Sequence, residues 1–108
     1  MSDADTILQE AQRLVHGDRG ADYGHPIDDF RKTAGMWSAL WREKLLPHVT
    51  LGPEDVAMAM ICVKLAREQH RPKRDNRTDM AGYAEALDMV RQRQDQEQRL
   101  AATWPVAK

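Results

Sequence analysis

The stretch from Val56 to Val63, read as VAMAMICV, is an unbroken run of eight apolar residues. It sits inside a segment whose start is signalled as helical. Gly52 fits an N-cap, Pro53 fits the first helical position, and Glu54 and Asp55 stand at the positive end of the helix dipole. A surface helix needs only one apolar stripe, so a helix apolar all round is expected to be central and covered on several sides. At 108 residues the chain is expected to form one domain. The run predicts the element around which that domain packs. Cys62 lies within it and is expected to be a small buried hydrophobe.

Three further helical patterns surround it. Ile7, Leu8, Ala11, Leu14 and Val15 share one face of a helix from about Asp3 to Val15, with Ser2 as N-cap, Asp5 in the capping-box position and Gly17 as terminator. Pro26 opens a second helix in which Ile27, Phe30, Ala34, Trp37, Trp41 and Leu45 step by three and four before Pro47 stops it. A last helix is expected from near Asn76, with Asn76 as N-cap, Asp79 as the N3 acid, and Met80, Tyr83, Ala84, Leu87 and Val90 as its apolar stripe. Between the first two, HGDRGADYGHP reads as a loop. After Val90 the run RQRQDQEQR is polar on every face, a frayed helix end or a surface that meets a partner, and Trp104 reads as an aromatic plug on a neighbour. Alternating β patterns are absent. The expected fold is all-α: a compact four-helix domain at 1–90, with a polar helix extension and tail at 91–108. The apolar third helix, Trp41 and Trp104 offer more hydrophobic surface than four short helices hide, which points to a homo-oligomer.

Composition excludes several classes. Sixteen Lys and Arg against 17 Asp and Glu leave a net charge of −1, with no global pull toward nucleic acid or anionic membrane. A single cysteine forms no intramolecular disulfide. No apolar run reaches about 18 residues and the N-terminus is polar, so neither a membrane span nor a signal peptide is expected, and a cytoplasmic setting is. His16, His25, His48 and His70 lack metal-ligand spacing, and no triad or P-loop pattern occurs.

Two constellations carry chemistry. In VKLAREQHRPKRDNRTDMAGY, Lys64 and Arg67 share a face at the end of one helix, and Asp75 and Asp79 open the next. A short turn makes these helices antiparallel, so the charges converge. That is either a salt-bridge cluster fixing register or a phosphate site, since His70, Arg71, Lys73 and Arg74 add more positive charge than two aspartates neutralise. In GDRGADYGHP, Arg19 can reach a phosphate and Tyr23 can stack on a base, or the segment is an ordinary connection with Tyr23 on the core.

Together GDR…DYGHP, F…W, EDVA…M…K..R and DN..D.AGYA, across roughly residues 7 to 90, resemble a family of small phage and prophage proteins. These in turn are similar to the MazG-like all-α nucleotide pyrophosphatases. The resemblance implies a bacterial host cell, a helical oligomer and a nucleotide ligand. It also implies Mg²⁺-dependent cleavage of a nucleoside triphosphate to monophosphate and pyrophosphate. Carried onto this chain, Lys64, Arg67 and Arg19 hold phosphates, Tyr23 or Tyr83 contacts the base, and Asp75 and Asp79 bind Mg²⁺, with Glu54 or Asp55 reaching in from another subunit. The paired acids that such enzymes carry on the helix before the hairpin turn are replaced here by Lys64 and Arg67. This departure leaves two alternatives open: a module that binds a nucleotide without cleaving it, or a protein-interaction factor whose charges are structural.

Overall fold

The computed structural model describes residues 5–103. It is all-α. α1 (Ile7–Arg13) runs through a wide π turn (Leu14–Asp18) into α2 (Arg19–Tyr23). α3 (Pro26–Leu40) and a 3-10 turn (Arg42–Lys44) lead by an extended connection to α4 (Pro53–His70), and α5 (Arg74–Thr103) completes the described chain. α5 is the backbone of the molecule: α4, α1 and α3 all pack on it, and α3 also packs on α4. The core gathers Ile27, Phe30, Ala34, Val56, Ala57, Ala86 and Val90, with Trp37, Leu51, Met60, Tyr83 and Leu87 against it.

Several expectations are corrected. The first helix is capped by Thr6, whose hydroxyl accepts from the Gln9 N–H while the Gln9 side chain accepts from the Thr6 N–H. Ser2 lies outside the described residues, as does Trp104. Gly17 does not end the helix. The segment read as a loop stays helical to Tyr23, because the chain absorbs Gly17 in the π turn, where the Arg19 N–H reaches back to the Leu14 carbonyl. The break comes at Gly24, whose φ of 72° is open to glycine and strained for other residues.

α3 begins as its sequence signals, with Pro26 at the first position and Asp28 and Asp29 in the first turn. It ends at Leu40 rather than reaching Leu45. Ser38 donates to the Ala34 carbonyl and accepts from the Leu51 N–H at 2.8 Å, pinning the α3–α4 connection. α5 starts at Arg74, and Asn76 is not its cap but a buried side chain bonded to Glu68. Its polar stretch is tied down: Glu97 pairs with Arg31 of α3, and Gln94 donates to Glu54 at the start of α4 at 3.0 Å.

α4 is not covered on all sides. Pro53, Val56 and Ala57 are buried, whereas Met58, Cys62, Val63 and Leu65 are exposed. The thinnest dimension of the molecule is 19 Å, about two helix diameters, too little to wrap a central helix. Cys62 is thus an exposed thiol, not a core residue.

α3 is capped by His25, whose Nδ1 accepts from the Ile27 N–H at 3.1 Å, a bond only the unprotonated nitrogen can make. Burial holds its pKa below the ordinary 6.5, aided by Arg93 and opposed by Asp28 and Glu97. A lowered pKa means the unfolded chain takes up a proton that the folded chain refuses. The stability His25 contributes is therefore complete above about pH 6.5 and lost as pH falls from there toward its folded value. The melting temperature is expected to drop over that window, and His25→Asn, which keeps a capping oxygen but has no proton to gain, is expected to flatten the drop. An unchanged pH profile in the variant would remove His25 as the cause.

Candidate functional site

The cation-rich hairpin resolves into local pairs. Lys64 Nζ lies 2.8 Å from Asp79 Oδ2, with both side chains at least three-quarters buried. Arg77 Nη1 lies 2.6 Å from Glu68 Oε2, and Arg74 Nη2 lies 3.1 Å from the buried carboxylate of Glu10 and 2.9 Å from the Asp5 carbonyl. Glu68, which sequence reading passed over, organises the turn. It accepts from the Lys73 N–H, the Asn76 amide and Arg77, and these bonds, the Lys73 one foremost, hold its carboxyl below the usual range. Its cue was available, because a carboxylate one turn beyond Lys64 is aimed at the same hairpin.

The positive charge is only partly cancelled. Arg67, Arg71 and Lys73 have no ion-pair partner among the described residues, and with His70 and Asn76 they line a shallow surface depression at the α4–α5 turn. Arg67 is therefore one turn from Lys64 along α4 but belongs to this open patch, not to the enclosed site described next.

That site is a cavity of about 60 Å³ between the α1–α2 run, α3 and α5. Arg19, Tyr23, Tyr83 and Asp79 all line it, so residues singled out from two separate motifs meet in one place. Tyr23 is 64% exposed at the rim. The Arg19 guanidinium lies over the Tyr83 ring, 5.9 Å from its centroid, within cation–π range, and Phe30 backs the same ring at 6.3 Å. Asp29 faces the cavity from α3. Two features of its floor escaped sequence reading. Gly82 opens space there, since a Cβ at this position would stand 3.5 Å from Val15. Thr78 is 3% exposed and its hydroxyl has no hydrogen-bond partner among the described residues, although a buried hydroxyl normally finds one.

The three carboxylates expected to hold Mg²⁺ are not brought together. Asp79 is taken by Lys64. Asp55 accepts from the Gly52 N–H at 2.8 Å and closes the start of α4, about 14 Å along the axis from Lys64. Asp75 is exposed in the first turn of α5. Among the described residues no three His, Cys, Asp or Glu side chains are grouped to hold a metal ion. Within one chain Asp55, Asp75 and Asp79 therefore do not converge on a common point where they could share one ion.

Among the described residues no helix is long and apolar enough to cross a membrane. No solved structure matches the chain. The chain is 41% identical over 88 residues to the Gene 55 protein of Mycobacterium phage D29, an alignment covering 81% of this chain and 54% of that protein. It is 34% identical over 92 residues to the Gene 55 protein of Mycobacterium phage L5, covering 84% and 56% respectively. The chain thus spans about half the length of these curated relatives. Residues 6–91, nearly all of the helical framework around the cavity, match the family described as Domain of unknown function (DUF6378), and the chain belongs to that family.

Proposed function

We propose that the chain binds a nucleotide at the Arg19–Tyr23–Tyr83 cavity and does so without hydrolysing it through its own carboxylates. The observation that carries this reading is the convergence of one cation and two tyrosines, drawn from separate motifs, on one cavity. In this reading the base enters beside Tyr23 and Tyr83, and Arg19 pairs with a phosphate at the rim. Asp29 meets the donors of the base or sugar. The cavity has room for a few waters only, whereas ligand pockets are about 300–1,000 Å³, so entry requires the exposed Tyr23 ring to swing outward. The ligand class, a nucleoside triphosphate, comes from the MazG-like resemblance read in the sequence motifs alone; the family match and the phage relatives carry no such assignment. Cleavage is the weaker part of that similarity, because Asp79 is occupied by Lys64.

A thermal-shift screen over NTPs and dNTPs, with Mg²⁺ or with chelator, tests this together with a pyrophosphate-release assay. The expected result is a rise in melting temperature that chelator leaves unchanged, with no pyrophosphate formed. Arg19→Ala and Tyr23→Ala are each expected to weaken binding about tenfold or more, the loss of about 1.4 kcal/mol. Gly82→Ala is expected to stabilise the free protein by about 0.5–1 kcal/mol while shrinking the shift. Pyrophosphate release would overturn the claim of binding without turnover, and no shift with any nucleotide would overturn nucleotide binding itself.

A second reading, a protein-interaction factor with structural charges, is favoured by the pairing of Lys64, Arg74 and Arg77. It expects Lys64→Met with Asp79→Leu to cost little stability, as apolar replacement of a shielded pair often does, and to leave every nucleotide titration flat in parent and variant alike.

A further inference from the structure

Among the described residues the middle of the α4 face turned away from the core, from Met58 to Ala66, is apolar and uncovered, with Asp55 and Gln69 at its two ends. Cys62, near the midpoint of Pro53–His70, is exposed, as are Met58 at 41%, Leu65 at 59% and Ala66. At about 100° per residue these side chains and the half-buried Ala59 fall within about 60° of Cys62, while Ala57, Met60 and Lys64 point the other way, toward α5 and the core.

We propose that this face pairs with the same face of a second copy of the chain, the two α4 helices running antiparallel about a two-fold axis at Cys62. The occupant is indicated by self-complementarity. In such a pair Met58 stands opposite the second copy's Ala66, Leu65 opposite its Ala59, and Cys62 opposite its Cys62. Large side chains meet small ones on both sides of the axis, as a two-fold interface requires. Alanines at these positions allow close approach and leave holes for the methionine and leucine.

Charge selects the same orientation. α4 starts with Glu54 and Asp55 and ends with Arg67 and His70, followed by Arg71. Antiparallel pairing sets the acidic start of one helix beside the basic end of the other and opposes their dipoles, whereas parallel pairing stacks like charges. This arrangement also accounts for an eight-residue apolar run in a helix that the single chain covers on one side only.

Sedimentation of the full chain at micromolar concentration tests it. The expected mass is twice the chain mass of 12.4 kDa. Leu65→Glu and Met58→Glu are expected to give the monomer mass with an unchanged far-UV circular dichroism spectrum, because both positions are exposed in the single chain. A short bismaleimide should link Cys62 to Cys62, and Cys62→Ser should abolish the link while keeping the dimer mass. In that background Ala59→Cys with Leu65→Cys should restore linking. A monomer at all concentrations, or a dimer that persists in Leu65→Glu, would overturn the interface. A dimer whose Cys62 thiols fail to link would overturn its register.

Discussion

Replacing Arg74 with methionine is expected to destabilise the fold by about 3 kcal/mol, the low end of the range for stranding one member of a buried ion pair. For a domain near 100 residues that lowers the melting temperature by roughly 12–20 °C. The Glu10 side chain is 10% exposed and Arg74 is its ion-pair partner at 3.1 Å, so the variant leaves a carboxylate in a dry site with nothing to neutralise it. The reverse change, Glu10→Leu, should be milder, because the Arg74 side chain is 36% exposed and reaches both water and the Asp5 carbonyl. The double variant should recover most of the loss, since apolar residues of similar volume replace such pairs at little cost. Urea denaturation of the three variants forms a cycle. A single Arg74→Met variant within about 0.5 kcal/mol of the parent, as an ordinary surface change would be, shows the pair to be solvated and the premise wrong.

Ile27→Ala is the other large effect, expected at about 3 kcal/mol within a range of 2–5. Ile27 is 0% exposed, in the first turn of α3, at the junction where α3 packs on α4 and α5. Removing its side chain leaves a void bounded by three helices that cannot all close on it. Its backbone N–H still donates to His25, so the cap survives and the loss reports packing alone. Met36→Ala on the same helix serves as the comparison. Met36 is 71% exposed, and its truncation should stay within about 0.5 kcal/mol in the monomer. Similar losses for the two positions would mean that Ile27 is not part of the core.

Much of this fold was legible because its helices announce themselves locally. Pro26 and Pro53 mark first turns, and the spacing of Ile27, Phe30 and Ala34 marks a buried stripe. What failed did so for identifiable reasons. Gly17 and Gly20 look like a loop in composition, yet glycine only lowers helix propensity, and packing of Val15 and Leu14 against α5 overrides it. The apolar run of α4 was read as enclosure, but a sequence records only that a side chain avoids water, not which chain covers it. The Glu10–Arg74 pair spans sixty-four residues, and no local pattern couples such positions. For the site, Arg19 and Tyr23 were read from their loop and Tyr83 from the resemblance, and the three share a cavity, whereas Arg67, read from its spacing to Lys64, and Asp55, carried over by the resemblance, lie elsewhere. Thr78 and Gly82 were invisible, since an unmet hydroxyl and a missing side chain have meaning only in three dimensions.

The π turn has a geometric consequence for the cavity. Ala11, Val15, Arg19 and Tyr23 all line it, each four residues from the last. On a regular α-helix such a ladder drifts about 40° per step, because four residues overshoot a turn of 3.6, and by Tyr23 it would have wound about 120° around the rod. The bond from the Arg19 N–H to the Leu14 carbonyl widens one turn and takes out part of that winding. It acts as a phase correction written into the chain: upstream, the rod shows aliphatic groups to α5, and downstream, without any break in the rod, it shows a cation and a phenol to the same groove.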